Sequence, residues 1–274
     1  MNQSGLTAIR HLFLDDDPQT LALLKEQLVI QGDSVVPDLK VLANADSAIV
    51  ATHAMDVLHS IAAKQASGQL EILFSGDGEI PIEQSSLLIA TALMPWLNPE
   101  ESTAKLDEWG AELGNLSGPG AGDTVPLLTG YLHGKLGFNG CTRDYYHHEN
   151  SILPCVMIHR KGLPLTLTLI YMFVAARAGI DVQGVNLPGH FIARCGEIFF
   201  DPFHGGKILS RNDCAEILSR QQISLRDEHL ESPGSREIVA RMLANLRHAY
   251  EIQEVGPQKH TVDRWLGIVT GTGQ

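Results

Sequence analysis

The amino-acid sequence predicts an α+β protein in which a small antiparallel sheet lies between helical segments at both ends of the chain. Apolar residues recur at helical spacing from Leu12 to about Ala63 and again from Arg236 to Glu251. Between these segments, residues 191–195 and 198–202 are predicted to form two strands joined at Gly196-Glu197. A two-residue connection of this kind is typical of a β-hairpin.

Composition narrows the range of partners. The chain of 274 residues has 32 acidic and 20 basic side chains and a formal charge of −12, which repels phosphate backbones and anionic lipid headgroups. No apolar stretch reaches the ~18 residues of a membrane span, and residues 1–17 lack the pattern of a signal peptide. We therefore expect no nucleic acid and no membrane as partners, and a protein or peptide with basic character fits this charge best.

Cysteine usage favours a cytoplasmic protein. The four cysteines are scattered, and no two of them form a Cys-x-x-Cys pair of the kind that binds zinc. The run His147-His148-Glu149 resembles a ligand set, but neighbouring side chains on a turn diverge, so a solvated loop is predicted instead. We expect no metal and no cofactor.

The amino-terminal elements are predicted to be helices. Asp17-Pro18 begins the first with proline at an early position, and Gly32 ends it. A second helix is expected from Val35 to Leu42, and a third begins at Asn44 or Asp46. The alternation of acidic turns and helices resembles HEAT-type repeats, so residues 1–70 are assigned to a helical HEAT-like region that would provide a packing or docking surface.

Further helices are expected after a polar break at Lys64–Glu79. They span Ile82–Trp96, Pro99–Leu116 and Leu127–Leu136. Between the last two, the segment Ser117–Asp123 is rich in glycine but lacks the Gly-Lys-Ser/Thr sequence of a phosphate-binding loop. It is predicted to be a flexible connection.

The hairpin carries the main candidate for chemistry. Side chains alternate along a strand, so His190 and Ile192 share one face and Asp201 lies diagonal to His190 across the hairpin. The diagonal separation is ~7 Å, which an imidazole and a carboxylate can close by hydrogen bonding. A carboxylate that orients a histidine is half of a hydrolase triad. The alternative is a structural histidine near a β-turn.

Residues 137–206 resemble the transglutaminase-like superfamily, in particular its bacterial SirB-type branch, which joins such a core to tetratricopeptide helices. The residues that carry the resemblance are Tyr145, Asn150-Ser151, Arg160–Pro164, Leu167–Gly179, Pro188–Phe191 and Asp201–Phe203. The resemblance implies a papain/transglutaminase-like core with a small antiparallel sheet. From this resemblance, residues 80–230 are assigned to the core with its helical lead-in, and residues 235–268 to a tetratricopeptide-like end.

The resemblance also indicates that the expected nucleophile is missing. In active members a cysteine begins the core helix, where the helix N-terminus lowers the pKa of the thiol. In this sequence that position falls within Pro164, Leu165 and Thr166, and none of these is cysteine. The hydroxyl of Thr166 is a weak nucleophile unless it is activated. Its alternative role is a hydrogen bond to local backbone.

Three cysteines could replace the nucleophile. Cys155 is expected in the helix before the core helix, where a buried thiol fits best. Cys195 is predicted to face away from His190 by strand alternation. Cys141 precedes the core in a loop.

Three polar residues, Asn186, Tyr145 and Arg143, are candidates for binding a substrate at the opening beside His190.

The sequence is compatible with two functions. The first is a non-catalytic protein- or peptide-binding module in which the cleft survives without its nucleophile. The second is a cysteine- or threonine-type amide hydrolase or acyltransferase that uses His190, Asp201 and Thr166. Because fold-level analogy does not restore a missing group, we favour the binding module.

Overall fold

The computed structural model describes residues 3–15, 17–116 and 124–272, and its internal contacts divide the chain into two compact units. One unit comprises residues 1–69 and 91–97, and the other comprises residues 70–90 and 98–274. Mostly helical structure with small sheets agrees with the predicted α+β class. The division of the sequence into HEAT-like, core and tetratricopeptide-like regions stays a prediction.

Helices form the first unit. They are α1 (Gln3–Leu12), α2 (Pro18–Gln31), a 3-10 turn (Gly32–Val35), α3 (Val36–Ala43) and most of α4 (Ala48–Ser75). The Asp17 carboxylate accepts hydrogen bonds from the backbone N–H groups of Gln19 and Thr20 at 3.3 and 3.0 Å, so it caps α2 as the Asp-Pro sequence predicts. The buried core includes Phe13, Leu28, Leu39, Leu42, Val50 and Val57.

One sequence-based boundary in the amino-terminal helices is wrong. The predicted second helix agrees with α3 to within one residue at each end, with Val35 in the preceding 3-10 turn. The predicted third helix does not end near Ala63, because α4 continues to Ser75 through most of the expected polar break. Ala66, Leu70 and Phe74 recur every fourth residue and are fully or nearly buried. Burial of this stripe outweighs the polar composition of the segment.

The helical lead-in of the second unit begins with α5 (Ile82–Leu93) and α6 (Pro99–Leu116). α5 ends before the predicted Trp96, because Pro95 disfavours helical backbone at the preceding residue. α7 (Thr124–Thr129) continues as π-helix over Gly130–Lys135, so the expected helix over Leu127–Leu136 begins earlier and changes type. The predicted loop at 117–123 lies outside the described residues.

The principal sheet is antiparallel. Its strands are β3 (Gln183–Val185), β4 (Ile192–Cys195), β5 (Ile198–Asp201) and β6 (Lys207–Leu209), in that spatial order. Cys195 pairs with Ile198 across the predicted turn, which confirms the hairpin and its register. Gly196 has a φ of +56°, a conformation that glycine adopts without a steric penalty. A separate parallel pair joins β1 (Asn139–Gly140) to β2 (Lys161–Gly162).

The core helix α9 (Pro164–Arg177) begins where the sequence predicts and is buried along most of its length. A 3-10 turn (His148–Ser151) and α8 (Leu153–His159) precede it. Tyr171 of α9 packs against Phe200 of the sheet, with ring centroids 6.0 Å apart. Its last residue, Arg177, bonds both carboxylate oxygens of Glu83 at 2.8 Å, which links the core helix to α5.

The carboxyl-terminal part of the second unit is again helical. It comprises α10 (Arg211–Ser219), a 3-10 turn (Asp227–Leu230), α11 (Ser235–Ile252) and α12 (Gly256–Thr270). α11 agrees with the predicted amphipathic helix, and it packs against α12, which buries Val262, Trp265 and Val269. None of the helices in the described ranges combines the length and apolar character needed to cross a bilayer.

Candidate functional site

The backbone holds His190 in a turn two residues before β4. The His190 N–H donates to the carbonyl of Leu187 at 3.0 Å and closes a tight turn through Pro188-Gly189. Gly189 has a φ of +79°, a left-handed conformation that favours glycine. Leu187 and Phe191 on either side are fully buried. The buried residues at both ends fix the turn, and the turn fixes the backbone position from which the His190 imidazole projects.

Asp201 ends β5 and organises the next turn. Its Oδ1 accepts hydrogen bonds from the backbone N–H groups of Phe203 at 3.0 Å and His204 at 3.4 Å. Its Oδ2 accepts one from Nε2 of His190 and one from Nδ1 of His204, each at 2.7 Å. The predicted contact between His190 and Asp201 is thus present. The carboxylate side chain is only 3% exposed, and these four bonds satisfy it.

The charge state of Asp201 follows from two opposing effects. Burial raises the pKa of its carboxyl group, but the hydrogen bonds and charges of His190 and His204 outweigh burial and hold the pKa below its ordinary value. The side chain is therefore an anion at neutral pH. Burial, together with this negative charge, raises the pKa of the Tyr171 hydroxyl. Asp201 can orient and stabilise a charged His190, as a triad carboxylate does.

Aromatic contacts connect Tyr145 to the pair. The Phe203 ring lies edge-to-face against both His190 and Tyr145, with centroids 6.1 Å apart in both cases. Glycine is required at Gly140, because a Cβ there would lie 2.6 Å from the carbonyl oxygen of Phe203. Burial raises the pKa of the Tyr145 hydroxyl. The structure therefore places Tyr145 near His190, with Phe203 between them.

Asn186 and Arg143 occupy different environments. The Asn186 side-chain carbonyl accepts a hydrogen bond from Arg241 of α11, whose guanidinium also donates to the carbonyl of Leu187 at 3.0 Å and lies 5.4 Å from the Phe191 ring. Asn186 thus supports the turn that carries His190. The Arg143 side chain is exposed, and within the described residues it forms no hydrogen bond or ion pair with His190 or Asp201.

Thr166 lies in the first turn of α9 and is 4% exposed. Across the described residues, its hydroxyl makes no hydrogen bond to His190, to Asp201 or to local backbone. The structure therefore does not show the hydrogen bond to local backbone that was the alternative role of Thr166. No hydroxyl or thiol of the described residues forms a hydrogen bond with Nδ1 of His190 either.

Within the described residues, no cysteine thiol is bonded to His190. Cys155 is buried in α8, and burial raises the pKa of its thiol to about 12. Burial also raises the pKa of Cys195 and Cys214. The Cys141 thiol donates a hydrogen bond to the backbone carbonyl of Arg143 at 2.8 Å. A thiol whose pKa is raised by burial is a poor nucleophile at neutral pH.

The histidine-rich segment is not the solvated loop that the sequence predicts. His148 hydrogen-bonds Gln253 at 2.6 Å and stacks on Tyr250 of α11, with ring centroids 5.1 Å apart. Its neighbour His147 stacks on it in turn, with centroids 4.6 Å apart. The His148 ring therefore packs against α11, and the His147 ring packs on His148.

A cavity of about 380 Å³ opens beside His190, Asp201 and His204. β6 and α10 supply its other walls, including an ion pair of Lys207 and Asp213 at 3.6 Å. The lining carries charges of both signs, and such a surface suits a polar ligand better than an apolar one.

A sequence model of the transglutaminase-like superfamily matches residues 100–244, just over half of the chain, and this range contains His190 and Asp201. The chain belongs to the transglutaminase-like superfamily. The match begins in α6 and ends in α11, so it covers the core helix, the sheet and the cavity.

Relatives of this transglutaminase-like chain include bacterial UPF0162 proteins. It is 35% identical over 148 residues to one from Xylella fastidiosa, covering 49% of this chain and 48% of the relative. It is 29% identical over 174 residues to one from Pseudomonas aeruginosa, covering 61% and 64%. The human F-box only protein 21 is 30% identical over 101 residues, which is 32% of this chain and 16% of that protein. The chain thus spans about half the length of the Xylella relative. No solved structure matches it.

Sequence reasoning missed His204 in this transglutaminase-like core. His204 is not singled out in the sequence analysis, and the structure places it in a 3-10 turn (Pro202–His204) that Asp201 caps. The signal was present in the sequence Asp-Pro-Phe-His, because a capping aspartate followed by proline brings residues i and i+3 to one face. The contribution of α10 to the cavity had no comparable local signal.

Proposed function

We propose that this transglutaminase-like domain is a non-catalytic protein- or peptide-binding module of the SirB-type branch. The observation that carries the proposal is the environment of His190. The histidine and its carboxylate partner are paired at 2.7 Å, yet no thiol or hydroxyl of the described residues is bonded to the other ring nitrogen. A cleft that keeps its shape and its orienting pair without a nucleophile is suited to binding.

Glu216, one of several charged residues of both signs at the cavity, supports a peptide with basic side chains as the ligand. Glu216 on α10 is exposed at the cavity and has no ion-pair partner among the described residues, so it is available to a lysine or arginine. The net charge of −12 favours the approach of such a ligand at low ionic strength. Tyr145, Asn186 and Arg143 do not line this cavity, and they stay proposed contacts for a peptide that extends beyond it.

The flanking segments fit the same role. HEAT-like helices at the amino-terminal end and tetratricopeptide-like helices at the carboxyl-terminal end would add docking surface for a protein partner. The human F-box only protein 21 supports use as a module, because the matching region makes up 16% of that longer protein. No disulfide joins the cysteines of the described residues, which supports the proposed cytoplasmic location.

The second candidate is an amide hydrolase or acyltransferase. The ionised Asp201 favours it, because a negative charge bonded to Nε2 would stabilise a protonated His190 during proton transfer. In this cysteine- or threonine-type enzyme, Thr166, a cysteine from elsewhere in the chain or a water molecule would be the nucleophile.

A displayed peptide library selected on the full chain tests the binding module. We expect enrichment of Lys- and Arg-containing peptides, and affinity measured by fluorescence anisotropy should fall ~10-fold or more in Glu216→Lys because a like charge replaces an attractive one. Glu251→Lys makes the same charge change on the exposed face of α11 and serves as the matched control.

A panel of ester and amide substrates tests the second candidate on the same preparation. Turnover by the natural chain that is lost in His190→Ala, together with no enriched peptide, would replace the binding module with the hydrolase.

A further inference from the structure

Three ligand atoms converge at the wall of the cavity. They belong to His190, Asp201 and His204 and lie within 4.8 Å of one another. Nε2 of His190 and Nδ1 of His204 are each 2.7 Å from Oδ2 of Asp201. Within the described residues, no other group of three or more His, Cys, Asp or Glu side chains approaches in this way. We propose that these atoms form a binding site for a divalent transition-metal ion, with zinc as the best-fitting ion.

The donor types select the ion. Imidazole nitrogen and carboxylate oxygen are ligands for zinc and its neighbours in the first transition row, whereas calcium and magnesium prefer oxygen alone. Zinc sites with three protein ligands leave a fourth position for water or another ligand. Two histidines and one aspartate therefore make an open site rather than a closed structural one.

The spacing requires an adjustment. In a tetrahedral site with ligand bonds of ~2 Å, neighbouring ligand atoms are ~3.3 Å apart. Both ring nitrogens are now 2.7 Å from Oδ2, so each moves away from the oxygen by ~0.6 Å. The two nitrogens also come to a separation of ~3.3 Å from a spacing that is at most 4.8 Å. The side chain of His204 is 60% exposed and has room for this movement, whereas that of His190 is 13% exposed and is set by its turn.

Asp201 is prepared for a metal by its own backbone contacts. Its Oδ1 is occupied by the N–H groups of Phe203 and His204, which fixes the orientation of the carboxylate and leaves Oδ2 for the ion. Metal ligands are commonly held by such outer hydrogen bonds. In the metal-free form the two ring N–H groups donate to the same oxygen, and a bound cation would replace both of these protons.

The turn that carries two of the ligands has a defined shape. Gly205 and Gly206 end it with φ values of +69° and +78°. A Cβ at Gly206 would lie 2.1 Å from a methyl group of Thr129, so glycine is required there by space as well as by conformation. The chain is thus held where Asp201 and His204 face the same point.

The cavity of about 380 Å³ supplies the open coordination position. A water molecule or a lone-pair donor from a ligand can reach the ion from this side. The inference goes beyond the proposed function and does not depend on it, since metal binding is measured without any peptide.

Titration of the chelator-treated full chain with zinc tests the site. Calorimetry should give one ion per chain, and cobalt should give visible absorption typical of a low-symmetry site with nitrogen and oxygen ligands. We expect His204→Ala to weaken zinc binding by more than the ~10- to 100-fold that follows loss of an outer contact, because it removes a ligand. His260→Ala removes an exposed histidine from α12 and should bind as the natural chain does.

A second variant keeps the test decisive. His204→Asp retains a ligand atom on the turn and should bind zinc more tightly than His204→Ala, while circular dichroism verifies that both variants are folded. Equal zinc binding by His204→Ala and the natural chain would overturn the proposal, and so would the absence of stoichiometric binding by the natural chain. Either result leaves the peptide-binding experiment unaffected.

Discussion

Nε2 of His190 lies 2.7 Å from Oδ2 of Asp201, a carboxylate whose other oxygen accepts two backbone N–H groups. The pair therefore belongs to a network in which every oxygen lone pair has a defined donor. Such networks stabilise a fold when complete and destabilise it when one member is changed.

Replacing Asp201 should destabilise the fold. In the natural chain, both oxygens of Asp201 accept hydrogen bonds from N–H donors. Asp201→Asn replaces one of these oxygens with an NH₂ group, which is itself a donor and cannot accept them. We expect the free energy of unfolding to fall by about 1–3 kcal/mol, the cost of leaving a buried polar group unsatisfied. Urea denaturation measures the change. Asp77→Asn alters an exposed aspartate in the same unit and should stay within about 0.5 kcal/mol. Equal stability of both variants would contradict the network.

The stability difference between the natural chain and Asp201→Asn should depend on pH. The pKa of Asp201 is lower in the folded chain than its ordinary value, so its anion stabilises the fold above pH ~4 and the contribution is lost as the pH falls through the folded pKa. The difference in unfolding free energy between the natural chain and Asp201→Asn should therefore shrink below pH ~4. A difference that grows in acid would show that the pKa is raised instead.

The Cys155 thiol should be unreactive in the folded chain. Its pKa is raised to about 12 by burial, so at pH 8 roughly one molecule in ten thousand carries the thiolate. Iodoacetamide followed by mass spectrometry should leave Cys155 unmodified in the native chain and modify it after denaturation in urea. Rapid native modification that depends on His190 would instead identify Cys155 as the missing nucleophile.

Gly140 should be intolerant of a side chain. In Gly140→Ala the new Cβ would lie 2.6 Å from the backbone oxygen of Phe203, and the turn after Asp201 would have to shift. Overpacking of this kind costs about 1–3 kcal/mol in unfolding free energy, measured by urea denaturation.

Gly68→Ala is the matched control, because nothing lies within 4 Å of its added Cβ in the interior of α4. It should stabilise the chain by about 0.5–1 kcal/mol through helix propensity. Destabilisation by Gly68→Ala equal to that of Gly140→Ala would mean that the contact with Phe203 is not the cause.

Local patterns account for the parts of the structure that the sequence predicted well. The hairpin at Gly196-Glu197 follows from strand alternation and turn length, and it brings His190 and Asp201 together although they are eleven positions apart. Asp17-Pro18 and Leu163-Pro164 mark the starts of α2 and α9 because proline suits the first turn of a helix.

Predictions failed where burial by distant residues decides the outcome. α4 extends beyond Ala63 because its buried stripe at Ala66, Leu70 and Phe74 stabilises a segment of polar composition. His148 is packed by Tyr250 rather than solvated, although nothing near it in the sequence indicates a partner.

The sequence by itself determined the α+β class, the superfamily motifs, the hairpin and the absence of a cysteine at the start of the core helix, because each of these depends on residue type or on short-range spacing. The tertiary structure decided the surroundings of the site. It placed Arg241 on Asn186 from 55 positions away and Phe203 on Gly140, and it set α10 beside the cavity. These contacts join segments far apart in the chain, and their free energy comes from packing and desolvation that exist only after folding.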